Sequence, residues 1–110
     1  MYYYYLTYRI YRVGVIPLCK LNNSNGVLKI QEITRQIANG NYGKVITITI
    51  TFDQLKKIIG ITYCHPSNYN NIRINIASVH ETIDNAAVVQ YYDDHSSTTR
   101  HYIYINAIGY

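Results

Sequence analysis

The sequence predicts an α+β fold: an antiparallel sheet of about five strands, ending in a C-terminal β-meander, with two short helices packed on one face. Three observations point there. Ile and Tyr, both strand formers, dominate the chain, with 18 and 14 copies. The run KVITITITF alternates strictly between apolar and hydroxyl residues. Two stretches, about residues 30–39 and 51–60, carry helix-like spacing and termini.

A length of 110 residues suits a single domain spanning 1–110, and no linker divides it. The hydrophobic fraction of 48% against 15% charged residues allows one folded core rather than a disordered chain. The 18 Ile, 14 Tyr and 11 Asn have AT-rich codons. Such a composition is expected of a small protein encoded by a virus or a mobile element.

Taken in order, MYYYYLTYRIYRVGVIPL reads as a strand, with Tyr4, Leu6, Tyr8 and Ile10 on one side and Tyr3, Tyr5, Arg9 and Tyr11 on the other. Pro17 marks its edge or its end. Asn25-Gly26 suits a tight turn. Ile30, Ile33 and Ile37 then recur at helical spacing, with Gly40 placed as the residue after a helix. In the next strand Ile46, Ile48, Ile50 and Phe52 face inward and Thr47, Thr49 and Thr51 outward. Thr51 and Gln54 resemble a capping box, and Lys56 and Lys57 would oppose the dipole of a second helix ended by Gly60. YCHPSNYNN reads as a loop. Strands follow at about 72–80, 86–94 and 100–108.

Short connections favour pairing these last strands in sequence. With His95–Thr99 as a hairpin loop, Asp94 faces Arg100, Asp93 faces His101, Tyr92 faces Tyr102 and Tyr91 faces Ile103. Ile74 then pairs Tyr91, Ile76 pairs Val89 and Ser78 pairs Ala87. The core face is Ile72, Ile74, Ile76, Val89, Tyr91, Ile103 and Ile105. This register also leaves Tyr92, Tyr102 and Tyr104 on one outward face.

Three functional readings follow. The leading one is a small non-enzymatic binding protein that uses a Tyr-rich sheet surface, Tyr92, Tyr102 and Tyr104 with Tyr3, Tyr5, Tyr11 and Arg9. Tyrosine offers a rigid contact area with a polar tip, which suits a host protein partner. An exposed strand edge would let the chain self-associate, a dimer first. The second reading is a small metal- or histidine-dependent hydrolase or nuclease built on His65, Asp93, His95 and His101, with Asp93 fixing the His101 tautomer. No metal-binding motif supports it, and no cofactor is implied. The third is a nucleic-acid-binding protein using Arg9, Arg12, Lys56 and Lys57, since residues 1–57 carry a net charge of +6 and the remainder −2.

No stretch is long and apolar enough to span a membrane, so a cytoplasmic location is expected, within the host cell if the protein is viral. Cys19 and Cys64, without a CxxC motif, read as unpaired thiols.

Overall fold

β-branched residues crowd the chain, and they settle almost everywhere into strands. The computed structural model describes residues 16–20, 27–94 and 100–110. They form seven strands: β1 (Ile16–Lys20), β2 (Val27–Ile37), β3 (Val45–Thr51), β4 (Ile58–Pro66), β5 (Ile72–Val79), β6 (Ala86–Asp93) and β7 (His101–Gly109). One antiparallel sheet has the order β1-β2-β7-β4, and a second has the order β3-β6-β5. The architecture is therefore all-β. The expected α+β class is wrong, because neither helix forms among the described residues.

The first expected helix is the long strand β2, hydrogen-bonded to β1 on one side and β7 on the other. Ile33 and Ile37 are four residues apart, and four is an even number. They share a strand face as readily as a helix face. Both meet the core, whereas Ile30 lies on the opposite side of the strand. Gly40 has φ +91°, the left-handed value that suggested a helix end, but here it turns the chain from β2 into β3, with Gly43 at φ +78°.

The second expected helix is an irregular plug. Phe52, Leu55 and Ile58 drive three buried side chains into the core at a spacing of three. The groups that looked like caps bond elsewhere. Gln31 on β2 donates from Nε2 to Asp53 Oδ1 at 2.8 Å and accepts the Gln54 N–H at 3.1 Å. The Lys56 and Lys57 N–H groups donate to the Tyr110 carbonyl at 2.6 and 3.1 Å rather than to a helical turn.

The two sheets pack face to face. Ile37, Ile58, Ile103, Ile105 and Ala107 from the first meet Ile50, Ile72, Ala87, Val89 and Tyr91 from the second in one cluster. The strand β3 behaves as its alternation predicts, with Ile50 and Phe52 buried and Thr47, Thr49 and Thr51 exposed.

The C-terminal meander needs correction. β5 and β6 do form a hairpin, with Ile74 opposite Tyr91 as expected. A bulge at Asn75 then shifts the register, so that Ala77 rather than Ile76 faces Val89, and Ile76 turns outward to 51% exposure. β6 and β7 are not paired at all. Each is a central strand of a different sheet. Alternation assigned the inner residues Ala87, Val89, Tyr91, Ile103, Ile105 and Ala107 correctly, because that pattern is local. These residues meet across the interior instead of along a ladder.

Candidate functional site

The partner of β7 that matters for the surface is β4, an edge strand with two register shifts. Cys64 and Pro66 sit opposite Ile105 and Ile103, on the inner side, while His65 sits opposite Tyr104 on the outer side. β2 flanks β7 on its other edge and places Glu32 opposite Asn106 and Thr34 opposite Tyr104.

This geometry builds an aromatic cluster around His65. Its ring centroid lies 5.4 Å from Tyr63, 5.2 Å from Tyr104 and 6.0 Å from Tyr69, the last in a stacked arrangement at 16°. Nδ1 of His65 is 3.3 Å from the Pro66 carbonyl, which suits a proton on that nitrogen. The Tyr63 hydroxyl donates to Glu32 Oε2. Beside it the Thr62 hydroxyl lies 2.5 Å from Asn106 Oδ1 and 3.2 Å from the Asn106 carbonyl oxygen. The bulge between Ile61 and Tyr63 brings both Thr62 and Tyr63 to Asn106. The Thr62 and Tyr63 hydroxyls are thus tied down while the Tyr63, His65 and Tyr104 rings remain half-buried.

Tyr69, in the β4–β5 connection, extends the cluster around the edge of the molecule. It is 68% exposed. It also lines an open groove of about 450 Å³ with Cys64, Pro66, Ile72 and Arg73. The Arg73 guanidinium then lies over the Tyr92 ring, 4.7 Å from its centroid, on the outer face of the second sheet. Tyr63, Tyr104, His65, Tyr69, Arg73 and Tyr92 form one band from the outside of one sheet to the outside of the other.

Tyr102 and Tyr104 lie on the outer side of β7, but Tyr92 belongs to the other sheet, so the expected single tyrosine face is two faces. Among the described residues they are joined around the β4–β5 edge. Tyr3, Tyr5, Tyr11, Arg9 and Arg12 lie outside the described residues. Lys56 and Lys57 are exposed between β3 and β4.

The structure sets His65 apart from the other described members of the expected histidine–aspartate group. Asp93 and His101 are buried between the sheets, at 0% and 4% exposure, whereas His65 is on the opposite side of its sheet from His101. His95 lies outside the described residues. His80 instead closes the β5–β6 turn, its Nδ1 accepting the N–H groups of Thr82 and Ile83 at 3.1 and 3.0 Å. Among the described residues no group of three or more His, Cys, Asp or Glu side chains could hold a metal ion. Cys64 is a free thiol that burial pushes up to about 11, which leaves it protonated and unreactive near neutrality.

Sequence reasoning missed Glu32, Tyr63, Tyr69, Arg73 and Asn106. The available signal was the pair Tyr63 and His65, two residues apart and hence on one face once the segment is a strand. Reading Cys-His-Pro-Ser-Asn as a loop concealed it.

The fold and surface together define an all-β sandwich with an aromatic band at one edge. No protein-family model, no curated protein and no solved structure matches the chain. None of its described helices could cross a membrane, since none is present.

Proposed function

We propose that the chain is a non-enzymatic binding protein whose working surface is the aromatic band centred on His65, and that its target is a protein of a host cell. The observation that carries this reading is the placement of one histidine within 5.2–6.0 Å of three tyrosine rings on a sheet face. A half-buried ring such as Tyr63, whose hydroxyl is already bonded to Glu32, loses little side-chain freedom on contact, and tyrosine-rich patches are where binding energy concentrates. An origin in a virus or mobile element is supported by the Ile-, Tyr- and Asn-heavy composition. A cytoplasmic location is supported by the free thiol of Cys64.

The test is affinity capture from host extract with identification of the retained protein, run in parallel with Tyr69→Ala and Tyr104→Ala. The expected result is a partner lost with either substitution while the melting temperature holds. Retention of the same partner by both variants sinks the reading.

A second reading draws on Arg73 and Tyr92. A guanidinium beside stacked rings also suits single-stranded nucleic acid. In that case binding of an oligonucleotide weakens steeply with added salt and with Arg73→Ala, whereas a protein partner held by the tyrosines responds far less to salt.

A further inference from the structure

The four edge strands among the described residues are not equally guarded. β1 carries Pro17 and a register shift beside it. β4 carries two shifts and ends at Pro66. β5 carries Arg73 and the bulge at Asn75. Proline, charge and bulges are the devices that keep sheet edges from pairing with other chains. β3 has none of them. Its seven residues, VITITIT, are uncharged and pair with β6 from Val45 to Thr51 without a shift.

Its open edge is defined by hydrogen bonding. The Lys44 carbonyl accepts from Asp93 and the Phe52 N–H donates to Asn85, so even-numbered peptide groups point toward β6. The groups of Thr47, Thr49 and Thr51 therefore point away, as the alternation of an antiparallel ladder requires. The Thr49 carbonyl is met by Arg35 Nη1 at 3.4 Å, a long and exposed contact that yields readily. The inward side is also incompletely covered. Ile46 and Ile48 are half-buried, whereas Val89 on the next strand is fully buried.

The sequence of β3 reads nearly the same in both directions about Ile48. In an antiparallel pair of two such strands with Ile48 opposite Ile48, Thr47 faces Thr49, Ile46 faces Ile50 and Val45 faces Thr51. Apolar residues match apolar ones on the inner side, and threonines pair on the outer side. The odd-numbered peptide groups then form the hydrogen-bonded pairs. A slip of one residue in either direction would set Ile46 and Ile48 against Thr.

We infer that β3 is a self-complementary edge through which two copies of this chain join about a two-fold axis, extending the three-stranded sheet across both. This surface shares no residue with the aromatic band, so it goes beyond the binding reading and stands or falls separately.

Light scattering over a concentration series tests it, together with amide exchange. The mass should rise from that of one 12.8 kDa chain to that of two. The Thr47, Thr49 and Thr51 amides should gain protection in step, while Ile46, Ile48 and Ile50 are protected throughout. Thr49→Pro removes an N–H that points off the sheet, and Thr47→Lys places a charge on the edge. Each should weaken pairing at least about tenfold. Thr47→Lys keeps the test usable if the proline variant folds poorly, and Tyr69→Ala and Tyr104→Ala should leave the mass unchanged. A single-chain mass at every concentration overturns the inference. Protection of the odd amides in a single chain also overturns it, since the lane is then filled by the chain itself. A two-chain mass that survives Thr47→Lys does the same.

Discussion

His65 and His101 project from opposite sides of the same sheet, one among tyrosine rings outside and the other sealed against the second sheet. Adjacent strands carry them, but β4 presents His65 outward while β7 presents His101 inward. A single pocket cannot use both. One histidine belongs to the surface and the other to the interior.

Their substitutions should therefore diverge. His101→Ala opens a void in a closed interior and should cost about 2–4 kcal/mol. His65→Ala should cost less than about 1 kcal/mol, as for a partly exposed ring. Denaturant midpoints of the two variants measure this. Equal losses would contradict the placement.

Gly109 is required by contact. A Cβ there would run into the Lys57 carbonyl, with the carbonyl carbon at 2.9 Å and Ile58 Cα at 3.1 Å. Gly109→Ala should cost about 1–3 kcal/mol through overpacking against backbone. Gly60→Ala meets only Ile108 Cγ2 at 3.6 Å and should change stability by less than about 1 kcal/mol. Thermal melts of the pair provide the comparison.

Gln31 holds the β3–β4 connection by one donated and one accepted bond while itself only 5% exposed. Gln31→Met should cost about 1–3 kcal/mol and speed exchange of the Gln54 amide. Gln31→Glu sets a carboxylate against Asp53, so its deficit should be larger at pH 7 than at pH 4.

Alkaline pH should weaken the fold through two groups. Burial raises the Cys64 thiol from 9.0 to about 11. Burial, and then the nearby Asp93 carboxylate, raise the Tyr91 phenol, with Arg35 opposing. Each unfolded group loses its proton at a lower pH than the folded one, so the native state holds more protons. Stability is then complete below pH 9 and falls as pH climbs toward 11. Cys64→Ala and Tyr91→Phe should flatten that fall in urea titrations. A wild-type midpoint unchanged from pH 8 to 11 would count against both shifts.

His80 serves its turn as an asparagine or aspartate commonly does, accepting two backbone N–H groups. His80→Ala should cost about 1 kcal/mol, and His80→Asn should recover much of it. The β5–β6 hairpin amides report the difference in exchange.

What the sequence disclosed divides along the reach of each signal. The alternation in β3, β6 and β7 named the inner residues correctly, because strand parity is decided by neighbours two positions apart. Which strand lies beside which is decided by the whole sandwich, and Tyr91 and Ile103 match equally well across a ladder or across an interior. The helix assignments failed where Ile33 and Ile37 satisfied two periods at once, and where Asp53 and Gln54 found Gln31 as a distant partner. The bulge at Asn75 moved Ile76 outward with no local warning. The aromatic band was hidden for a related reason: His65 and Pro66 end an edge strand, where proline is tolerated, so the segment looked like a loop.

The central place of β7 also bears on how the chain can be made. On a ribosome adding about 5–20 residues per second, β2 and β4 emerge well before His101–Gly109, the strand that bridges them. Until then the first sheet lacks its middle, and the apolar sides of both strands stand open to solvent. Closure of this sandwich is a late event that follows translation of its last strand, and nascent chains stalled short of it should be clients for chaperones.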